Sequence, residues 1–313
     1  MDRYKVIVNP VSGRGAGELA IPAIEEALRG YGLEYDLVRT ERPWHAVDLA
    51  QEAAADGYTV VVAVGGDGTA NEVLNGLMRA REATGRNGAA LGVLSVGRGN
   101  DFAFGMGVPV GLAEGCRALA EGRRRPIDVG RVSGGLYPEG RYFGNGVGIG
   151  FDAVVGFEAL KLTWLRGFAC YIVAALKVIF LYYRAPRVRI ELDGQEITQP
   201  SLMISIMNGR RMGGGFMMAP EGDPGDGVLD LCIAGQVSRA GILALIPRFL
   251  KGTQAGHAAI HTGRAQRVTI TALEGVLPAH ADGETLCTEG QRLEMEILPA
   301  QLDIICTGEG APQ

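Results

Sequence analysis

"VVAVGGDGTANEV", residues Val61 to Val73, passes from an apolar strand pattern through two adjacent glycines into a pattern typical of a helix. A short apolar run bounded by glycine indicates a strand that is buried on both faces, as in a parallel sheet. Glycine has no Cβ, so a turn built from it can adopt positive φ and bring backbone N–H groups close to a ligand. The following helix, which we expect to begin at Thr69, adds the unsatisfied N–H groups of its N-terminus. The turn therefore predicts a phosphate site.

Asp67 stands inside this glycine turn, where a carboxylate would repel a bare phosphate. A Mg²⁺ ion that accompanies the phosphates removes the conflict, because carboxylate oxygens are ligands that Mg²⁺ prefers. The spacing is neither G-x-x-x-x-G-K-[ST] nor G-x-G-x-x-G, so those two nucleotide-binding motifs are not supported. The alternative is a glycine turn that only joins a strand to a helix. The buried acid favours a magnesium–nucleotide complex.

The segments around this turn alternate in type. Strand patterns occur at YKVIVN, LEYDLVRT, YTVVVAV and ALGVLSV, and helix patterns occur at 18–29, 44–56 and 69–79. This alternation predicts a Rossmann-like α/β domain over residues 1–130, in which helices cover a parallel sheet. Ligands of such sheets bind beyond the carboxyl ends of the strands. We therefore expect the turns at 9–17, 65–69 and 97–101 to face one cleft.

Residues 131–299 have a different texture, with short strand patterns such as RVRIELDG, SLMISIMNG, GVLDLCIAG, RVTITA and RLEMEILP. Helix patterns lie at 151–162, within 168–183 and at 238–251. This mixture predicts a second domain that is a mostly antiparallel β-sandwich. The last segment, about 300–313, can pair with either domain, and a return to the first domain is one of the two outcomes.

Composition limits the class of protein. The chain has 313 residues, of which 47% are hydrophobic, and this length favours about two domains. Its formal net charge of -5 argues against a nucleic-acid binder, which normally carries a basic excess. Five scattered cysteines suggest neither a disulfide framework nor a zinc site, and MDRYKVIVNP lacks a signal-peptide pattern. We expect a cytoplasmic protein.

The segment Leu162–Tyr183 is the most apolar part of the chain, but Arg166 and Lys177 interrupt it. A spanning helix needs about 20 predominantly apolar residues. Two interpretations stay open: a core helix that covers a sheet, and a helix that contacts a membrane surface. Basic residues at 123–125 and 210–211 are either solvated charges or contacts for anionic head groups.

Five motifs resemble, in the same order, those of the bacterial diacylglycerol kinase-like lipid kinases, which are related to sphingosine and ceramide kinases. They are VNPVSGRGAG, GGDGTANEV, GRGNDFA, GGGFMMAPEGDPGDGVLDL and HADGETL, and the resemblance extends from Tyr4 to about Ile297. GGDGT alone also occurs in NAD kinases. The resemblance implies an enzyme that transfers the γ-phosphate of Mg-ATP to a hydroxyl of a diacylglycerol-like lipid, in a cleft between the two domains.

The resemblance also implies a set of nucleotide-binding residues from the first motifs. They are Asn9, Thr40, Gly65, Gly66, Asp67, Gly68, Thr69, Ala70, Asn71, Glu72 and Arg98. Arg98 stands where the family commonly has threonine, so the contact at this position differs from the family pattern.

By the same resemblance, Glu284 is the general base that activates the lipid hydroxyl, and Asp67 and Asp101 hold the metal–nucleotide and the reacting groups. Phosphoryl transfer needs such groups, because charge must be neutralised and the hydroxyl proton accepted. Taken alone, Asp282–Gly283 predicts a type I′ hairpin turn with no catalytic role.

The acidic segment EGDPGDGVLD lacks the spacing of a calcium-binding EF-hand loop. The resemblance implies a structural Mg²⁺ held by Asp223, Asp226 and the Val228 carbonyl, whose hard oxygens suit this ion. A solvated acidic turn is the alternative. Glu221 replaces the family's alanine beside this site.

The partners that follow from this interpretation are a lipid substrate with a free hydroxyl, a transient contact with the inner face of a membrane and, as an open option, a second copy of the chain. His45, His257, His261 and His280 receive no role in this interpretation. The alternatives are an NAD kinase, and a nucleotide- or lipid-binding protein of the same fold that has lost catalysis.

Overall fold

The computed structural model of the chain describes residues 2–85, 88–97, 99–162, 168–181 and 185–307. The chain forms two compact units. The first comprises Met1–Val129 and Pro299–Gln313, and the second comprises Gly130–Leu298.

The first unit contains a parallel sheet in the order β4–β3–β1–β2, as the alternating pattern predicts. The strands of the first unit include β1 (Arg3–Val8), β2 (Glu34–Arg39), β3 (Val60–Gly65), β4 (Ala90–Ser95) and the beginning of β5 (Arg124–Gly134). Every residue of β3 is buried, because helices cover both faces of a parallel sheet. The flanking helices are α1 (Ala16–Gly30), α2 (His45–Ala55), α3 (Asp67–Thr84), α4 (Asp101–Gly105) and α5 (Leu112–Glu121).

Helix α3 begins at Asp67, two residues before the expected start at Thr69. Gly66 is the N-cap residue, with the extended backbone that this position requires (φ −102°, ψ −165°). An acidic residue in the first turn stabilises the positive end of the helix dipole. Asp67 therefore belongs to the helix and not to a loop before it.

The second unit is built from antiparallel strand pairs, as predicted. Its strands are β6 (Tyr137–Phe143), β7 (Gly146–Gly150), β8 (Arg187–Leu192), β9 (Gln195–Met207), β10 (Arg211–Met212), β11 (Phe216–Met217), β12 (Leu229–Gly235), β13 (Ile260–Ala265), β14 (Arg267–Glu274), β15 (Leu277–Ala281), β16 (Glu284–Gly290) and most of β17 (Arg292–Ile305). Pairs such as β7–β9, β8–β14 and β15–β16 run antiparallel. Their inward-facing side chains form a core that includes Val147, Ile204, Ile270 and Leu293.

Three helices of the described residues accompany these strands: α6 (Phe151–Lys161), α7 (Phe168–Leu181) and α8 (Arg239–Lys251). Of the apolar segment 162–183, residues 163–167, 182 and 183 lie outside the described residues. Within the part of the chain that is described, no helix has the length and apolar character needed to cross a membrane.

The end of β17 shows with which of the two domains the last described residues pair. Ile304 pairs with Leu91 of β4 in the parallel direction, and the Cys306 N–H donates to the Arg123 carbonyl. Residues 299–307 therefore belong to the first unit.

Candidate active site

The carboxyl edge of the parallel sheet brings the predicted nucleotide residues of the first unit together. Asn9 follows β1 and donates its N–H to the Val64 carbonyl of β3 (3.0 Å). Thr40 follows β2 and donates its N–H to the Val8 carbonyl (2.8 Å). Gly65 is the last residue of β3. This edge is where parallel sheets bind ligands.

The glycines of GGDGT are needed for space. A Cβ on Gly65 would lie 2.3 Å from the Thr69 Oγ1, and a Cβ on Gly97 would lie 2.4 Å from the Gly66 Cα. The turns after β3 and β4 thus pack backbone against backbone. Gly66 has negative φ, so close approach and not a left-handed backbone is the physical reason for glycine here.

The Asp67 and Asp101 carboxylates both lie close to Gly99. A Cβ on Gly99 would be 3.0 Å from the Asp67 Oδ2 and 3.3 Å from the Asp101 Oδ2. The Asp67 Oδ1 accepts the Phe102 N–H at the beginning of α4 (2.9 Å), and Asp101 is 7% exposed. Two neighbouring carboxylates repel each other, and a hard divalent cation such as Mg²⁺ would relieve this repulsion. The donor chemistry therefore fits the metal of a nucleotide complex.

Several other predicted nucleotide residues stabilise the local structure. The Asn9 Nδ2 donates to the Thr69 Oγ1 (3.1 Å), which fixes the turn after β1 to the start of α3. The Glu72 Oε2 accepts the Ala46 N–H (3.1 Å) and so caps α2. Asn71 is fully buried, as is its neighbour Ala70 at 1% exposure, so their side chains face the core. Gly68 lies in the first turn of α3, and Arg98 falls outside the described residues.

Glu284 follows a hairpin turn in the second unit, as the Asp-Gly pair predicts. Asp282 (φ 48°) and Gly283 (φ 85°) join β15 to β16 with both central residues left-handed, the pattern of a type I′ turn. Asp282 is 6% exposed, and its carboxylate accepts the backbone N–H groups of residues 144, 145 and 146 at 2.8, 3.0 and 2.9 Å. Glu284 itself is exposed. The turn is fixed by Asp282 and presents Glu284 to solvent.

Two titratable residues, the buried His280 and the partly exposed Asp152, lie beneath this turn. The His280 Nδ1 accepts the Gly283 N–H (3.2 Å), and burial lowers the pKa of His280 to about 4. Asp152 is at the start of α6, and burial raises its pKa to about 7. The closeness of His280 to Glu284 in the sequence was the only signal, and Asp152 belongs to no motif that was recognised.

Asp152 is also the one titratable residue among the described residues that line an otherwise apolar cavity of the second unit. The other lining residues are Phe151, Val155, Ala175, Leu202, Met203, Phe216, Met218, Ala234, Val237, Ile242, Leu245, Ile246 and Phe249. About 80 Å³ of the cavity is unfilled. These residues come from α6, α7, α8 and several strands, so no contiguous motif could reveal the cavity.

The predicted structural metal residues form an acidic turn that an arginine neutralises. The Asp226 Oδ1 accepts the Val228 N–H (3.2 Å), and the Asp223 Oδ1 accepts the Gly225 N–H (3.1 Å). The Arg264 guanidinium is bonded to the other Asp226 oxygen and lies 3.2 Å from an Asp230 oxygen. Within the described residues, no group of three or more His, Cys, Asp or Glu side chains could hold a metal ion. The oxygen donors suit Mg²⁺, but Arg264 supplies the positive charge in this structure.

Two family models match the chain. The diacylglycerol kinase catalytic domain matches residues 3–132, and the YegS C-terminal NAD kinase beta sandwich-like domain matches residues 145–306, which is more than half of the chain. The chain is 30% identical to the diacylglycerol kinase of Bacillus subtilis over 91% of its own length and 90% of that protein.

Solved structures agree with the fold. A diacylglycerol kinase from Bacillus anthracis has a TM-score of 0.74 at 22% identity, covering 98% of this chain and 97% of that one. An NAD kinase from Archaeoglobus fulgidus, solved in complex with ATP, reaches 0.51 at 14% identity, covering 98% and 94%, and this likeness concerns the fold alone. The chain belongs to the bacterial diacylglycerol kinase-like family, and it is a lipid kinase, a phosphotransferase.

Proposed function

We propose that this lipid kinase transfers the γ-phosphate of Mg-ATP to a free hydroxyl of a diacylglycerol-like lipid. The first unit would bind the nucleotide, and the second unit would bind the lipid and supply Glu284 as the general base. The observation that carries this proposal is the apolar cavity of the second unit, because a cavity with a single charged residue in its wall suits a hydrocarbon tail.

The nucleotide part of the proposal is supported by the carboxyl edge of the first unit. The N-terminus of α3, at Gly66 and Asp67, offers backbone N–H groups to a phosphate. The glycines allow a ligand to approach the backbone closely. Asp67 and Asp101 would hold the Mg²⁺ of the nucleotide, which would neutralise charge on the phosphates. Glu72 and Asn71 would act on the nucleotide only through the position of α3.

The lipid part of the proposal requires the cavity to expand. Ligand pockets have volumes of roughly 300–1,000 Å³, whereas about 80 Å³ is unfilled here. Met203 and Met218 lie in its wall, and methionine side chains change rotamer at low cost because they are unbranched. We expect the tail to enter by displacing these side chains.

Glu284 suits the role of general base in two respects. Its carboxylate is exposed, so an acceptor hydroxyl can reach it, and its backbone follows a turn that Asp282 fixes. A general base of this kind typically contributes a factor of about 10²–10⁴ to the rate. The hydroxyl proton would pass to the Glu284 carboxylate as the hydroxyl oxygen attacks the γ-phosphorus, and the bond from that phosphorus to the bridging oxygen would break to release ADP.

We also propose that the acceptor reaches the enzyme from a membrane surface. Leu160 and Phe180, on α6 and α7, are 71% and 72% exposed. Lys161 and Lys177, close to them in sequence, both pair with the Glu158 carboxylate, so these three charged groups carry a net charge of +1. Exposed apolar side chains beside lysines favour contact with an anionic lipid surface. Phe180→Asp should reduce sedimentation with vesicles that contain anionic lipid, and undiminished sedimentation would contradict the proposal.

Transfer of labelled phosphate from ATP tests the proposed reaction. The wild-type protein, with Mg²⁺, is offered a panel of lipids in mixed micelles and, separately, NAD. A labelled diacylglycerol or related lipid is the expected product. Labelled NAD would instead identify the protein as an NAD kinase. ATP binding without any labelled acceptor would favour a binding protein that has lost catalysis.

A cavity variant tests where the tail binds. Ala234→Leu adds a branched side chain to the cavity wall, whereas Ala240→Leu makes the same change at an exposed position of α8. We expect Ala234→Leu to raise KM for long-chain lipids about tenfold, because one misfitted apolar group changes binding by roughly 1–3 kcal/mol. Ala240→Leu should leave KM unchanged. Equal KM values for both variants would exclude this cavity as the tail site.

A further inference from the structure

The turn that precedes Glu284 is held at both of its central residues. The Asp282 carboxylate bonds the backbone N–H groups of residues 144–146. The Gly283 N–H donates to the His280 Nδ1 (3.2 Å), and His280 is 9% exposed. The imidazole therefore lies directly beneath the residue that precedes the proposed base.

The hydrogen bond to Gly283 determines which nitrogen of His280 carries the proton. Because Nδ1 accepts, the neutral ring is protonated on Nε2. Burial lowers the pKa of His280 to about 4, so the ring is neutral at neutral pH. A Cβ on Gly148 would lie 2.5 Å from the His280 Nε2 and 2.4 Å from the Asp152 Oδ2. The two polar groups therefore face the same small space above a glycine of β7.

Asp152 is itself fixed on this side of the ring. Its Oδ1 accepts the Ala153 N–H (2.8 Å) at the beginning of α6, and its Oδ2 accepts the Ser205 hydroxyl (3.2 Å) from β9. Its side chain also forms part of the wall of the apolar cavity. This carboxyl group, held by two donors, therefore forms one fixed side of the space that the His280 Nε2 faces.

We propose that His280, backed by Asp152, is a positioning residue that fixes the turn from which Glu284 reaches the acceptor hydroxyl. This inference rests on the proposed role of Glu284 as general base. His280 acts on the Gly283 N–H and leaves the proton transfer to Glu284. Asp152 also lines the cavity proposed for the lipid tail, so Asp152 and His280 lie between that cavity and the turn. A displacement of about 1 Å at a catalytic group can reduce a rate about 100-fold.

Two isosteric substitutions separate the two nitrogens of His280. His280→Asn places an amide oxygen near the position of Nδ1 and can still accept the Gly283 N–H, whereas His280→Gln places its amide near Nε2 and loses that acceptor. We expect His280→Gln to lower kcat about 100-fold with KM for lipid and ATP changed less than about twofold. His280→Asn should recover most of that loss. His261→Gln, at an exposed position of β13, is the matched control.

Equal kcat values for His280→Asn and His280→Gln would overturn the proposal, as would losses that follow the unfolding midpoint of each variant. Should His280→Gln fail to fold, Asp152→Ala and Asp152→Asn give a second pair. Asn keeps an acceptor oxygen beside Nε2, so kcat should fall about tenfold with Ala and recover with Asn. The same kcat in both Asp152 variants would also contradict the proposal.

Hydrogen exchange of the Gly283 amide tests the positioning without using activity. In the substrate-free protein, this amide should exchange at least about tenfold faster in His280→Gln than in wild type, and His280→Asn should restore the protection. Unchanged exchange in His280→Gln would refute the contact. Restored protection together with no effect of Glu284 substitution on transfer would instead reject the general-base role and leave the positioning contact in place.

Discussion

Two hairpins of the second unit have the same turn and different surroundings. Asp193–Gly194 joins β8 to β9, and Asp282–Gly283 joins β15 to β16, with φ values of 47° and 92° in the first and 48° and 85° in the second. In both, the aspartate carboxylate accepts backbone N–H groups of another segment. Asp193 is exposed, whereas Asp282 is 6% exposed and lies above a buried histidine.

The two hairpins show that an anchored Asp-Gly turn does not by itself form a functional site. An Asp-Gly hairpin anchored by its own carboxylate is a structural device, and the first hairpin uses it at the surface. The second hairpin adds three features: Glu284 at its exit, His280 beneath it and an apolar cavity behind Asp152. The proposed catalytic function depends on these additions, which an Asp-Gly turn by itself does not provide.

The largest expected effect comes from removing the buried anchor. Asp282→Ala deletes an acceptor of three backbone N–H groups, which are then left buried. Because hydrogen bonds to a charged group contribute about 1.5–3 kcal/mol each, the free energy of unfolding should fall by at least about 3 kcal/mol. Urea denaturation measures this change. Asp193→Ala is the matched control, for which we expect a loss of about 1 kcal/mol because its partners can bond water. Equal losses would mean that burial does not distinguish the two hairpins.

A third Asp-Gly pair, in the first unit, should separate charge from hydrogen bonding. Asp67→Asn keeps an oxygen for the Phe102 N–H but removes the charge proposed to hold the metal–nucleotide. We expect phosphate transfer to fall about 100-fold while the free energy of unfolding changes by less than about 1 kcal/mol. Transfer assays and urea denaturation on one preparation give both numbers. Wild-type activity in Asp67→Asn would show that the charge is not required.

His280 and Asp152, beneath the second hairpin, should make stability depend on pH. The pKa of Asp152 is raised from 3.8 to about 7, so its contribution to stability falls as pH rises through that range. The pKa of His280 is lowered from 6.5 to about 4, so its contribution rises with pH between about 4 and 6.5. In the wild type, the contributions of Asp152 and His280 to the unfolding free energy therefore change with pH in opposite directions.

Removing one of these two residues isolates the pH dependence of the unfolding free energy that the other causes. In Asp152→Asn only the His280 slope remains, so between pH 5 and 6.5 the variant should gain about 2 kcal/mol of unfolding free energy relative to wild type. Urea midpoints at several pH values measure this gain. Parallel curves for the two proteins would show that Asp152 does not titrate in this range.

The smallest effect is expected at the acidic turn of Asp226 and Gly227. Arg264 is 55% exposed, so its ion pairs contribute at most about 1 kcal/mol after screening by solvent. Arg264→Gln leaves Asp226 and Asp230 without this cation, and millimolar Mg²⁺ should then raise the unfolding midpoint more in the variant than in wild type. Arg267→Gln, at an exposed neighbouring position, should show no such difference. No response to Mg²⁺ in either protein would argue against the predicted structural metal.

Local motifs made part of this site predictable from sequence. The alternation of strands and helices places Asn9, Thr40 and Gly65 at one sheet edge, and Asp-Gly predicts the hairpin before Glu284. The start of α3 was placed two residues late, because the capping geometry of Gly66 is not readable from composition. Asp152, Ser205 and His280 come from three distant segments and meet only through packing, so no pattern in the sequence identifies their arrangement. The cavity could not be predicted from the sequence for the same reason, because its lining residues come from distant segments.

Glu284→Gln tests whether the second unit supplies the base for transfer from a nucleotide bound by the first. ATP affinity and labelled-phosphate transfer to diacylglycerol are measured on the same variant protein. We expect an ATP Kd within about twofold of wild type and a transfer rate about 10²–10⁴ times lower. Wild-type transfer rates in Glu284→Gln would show that Glu284 is not the base.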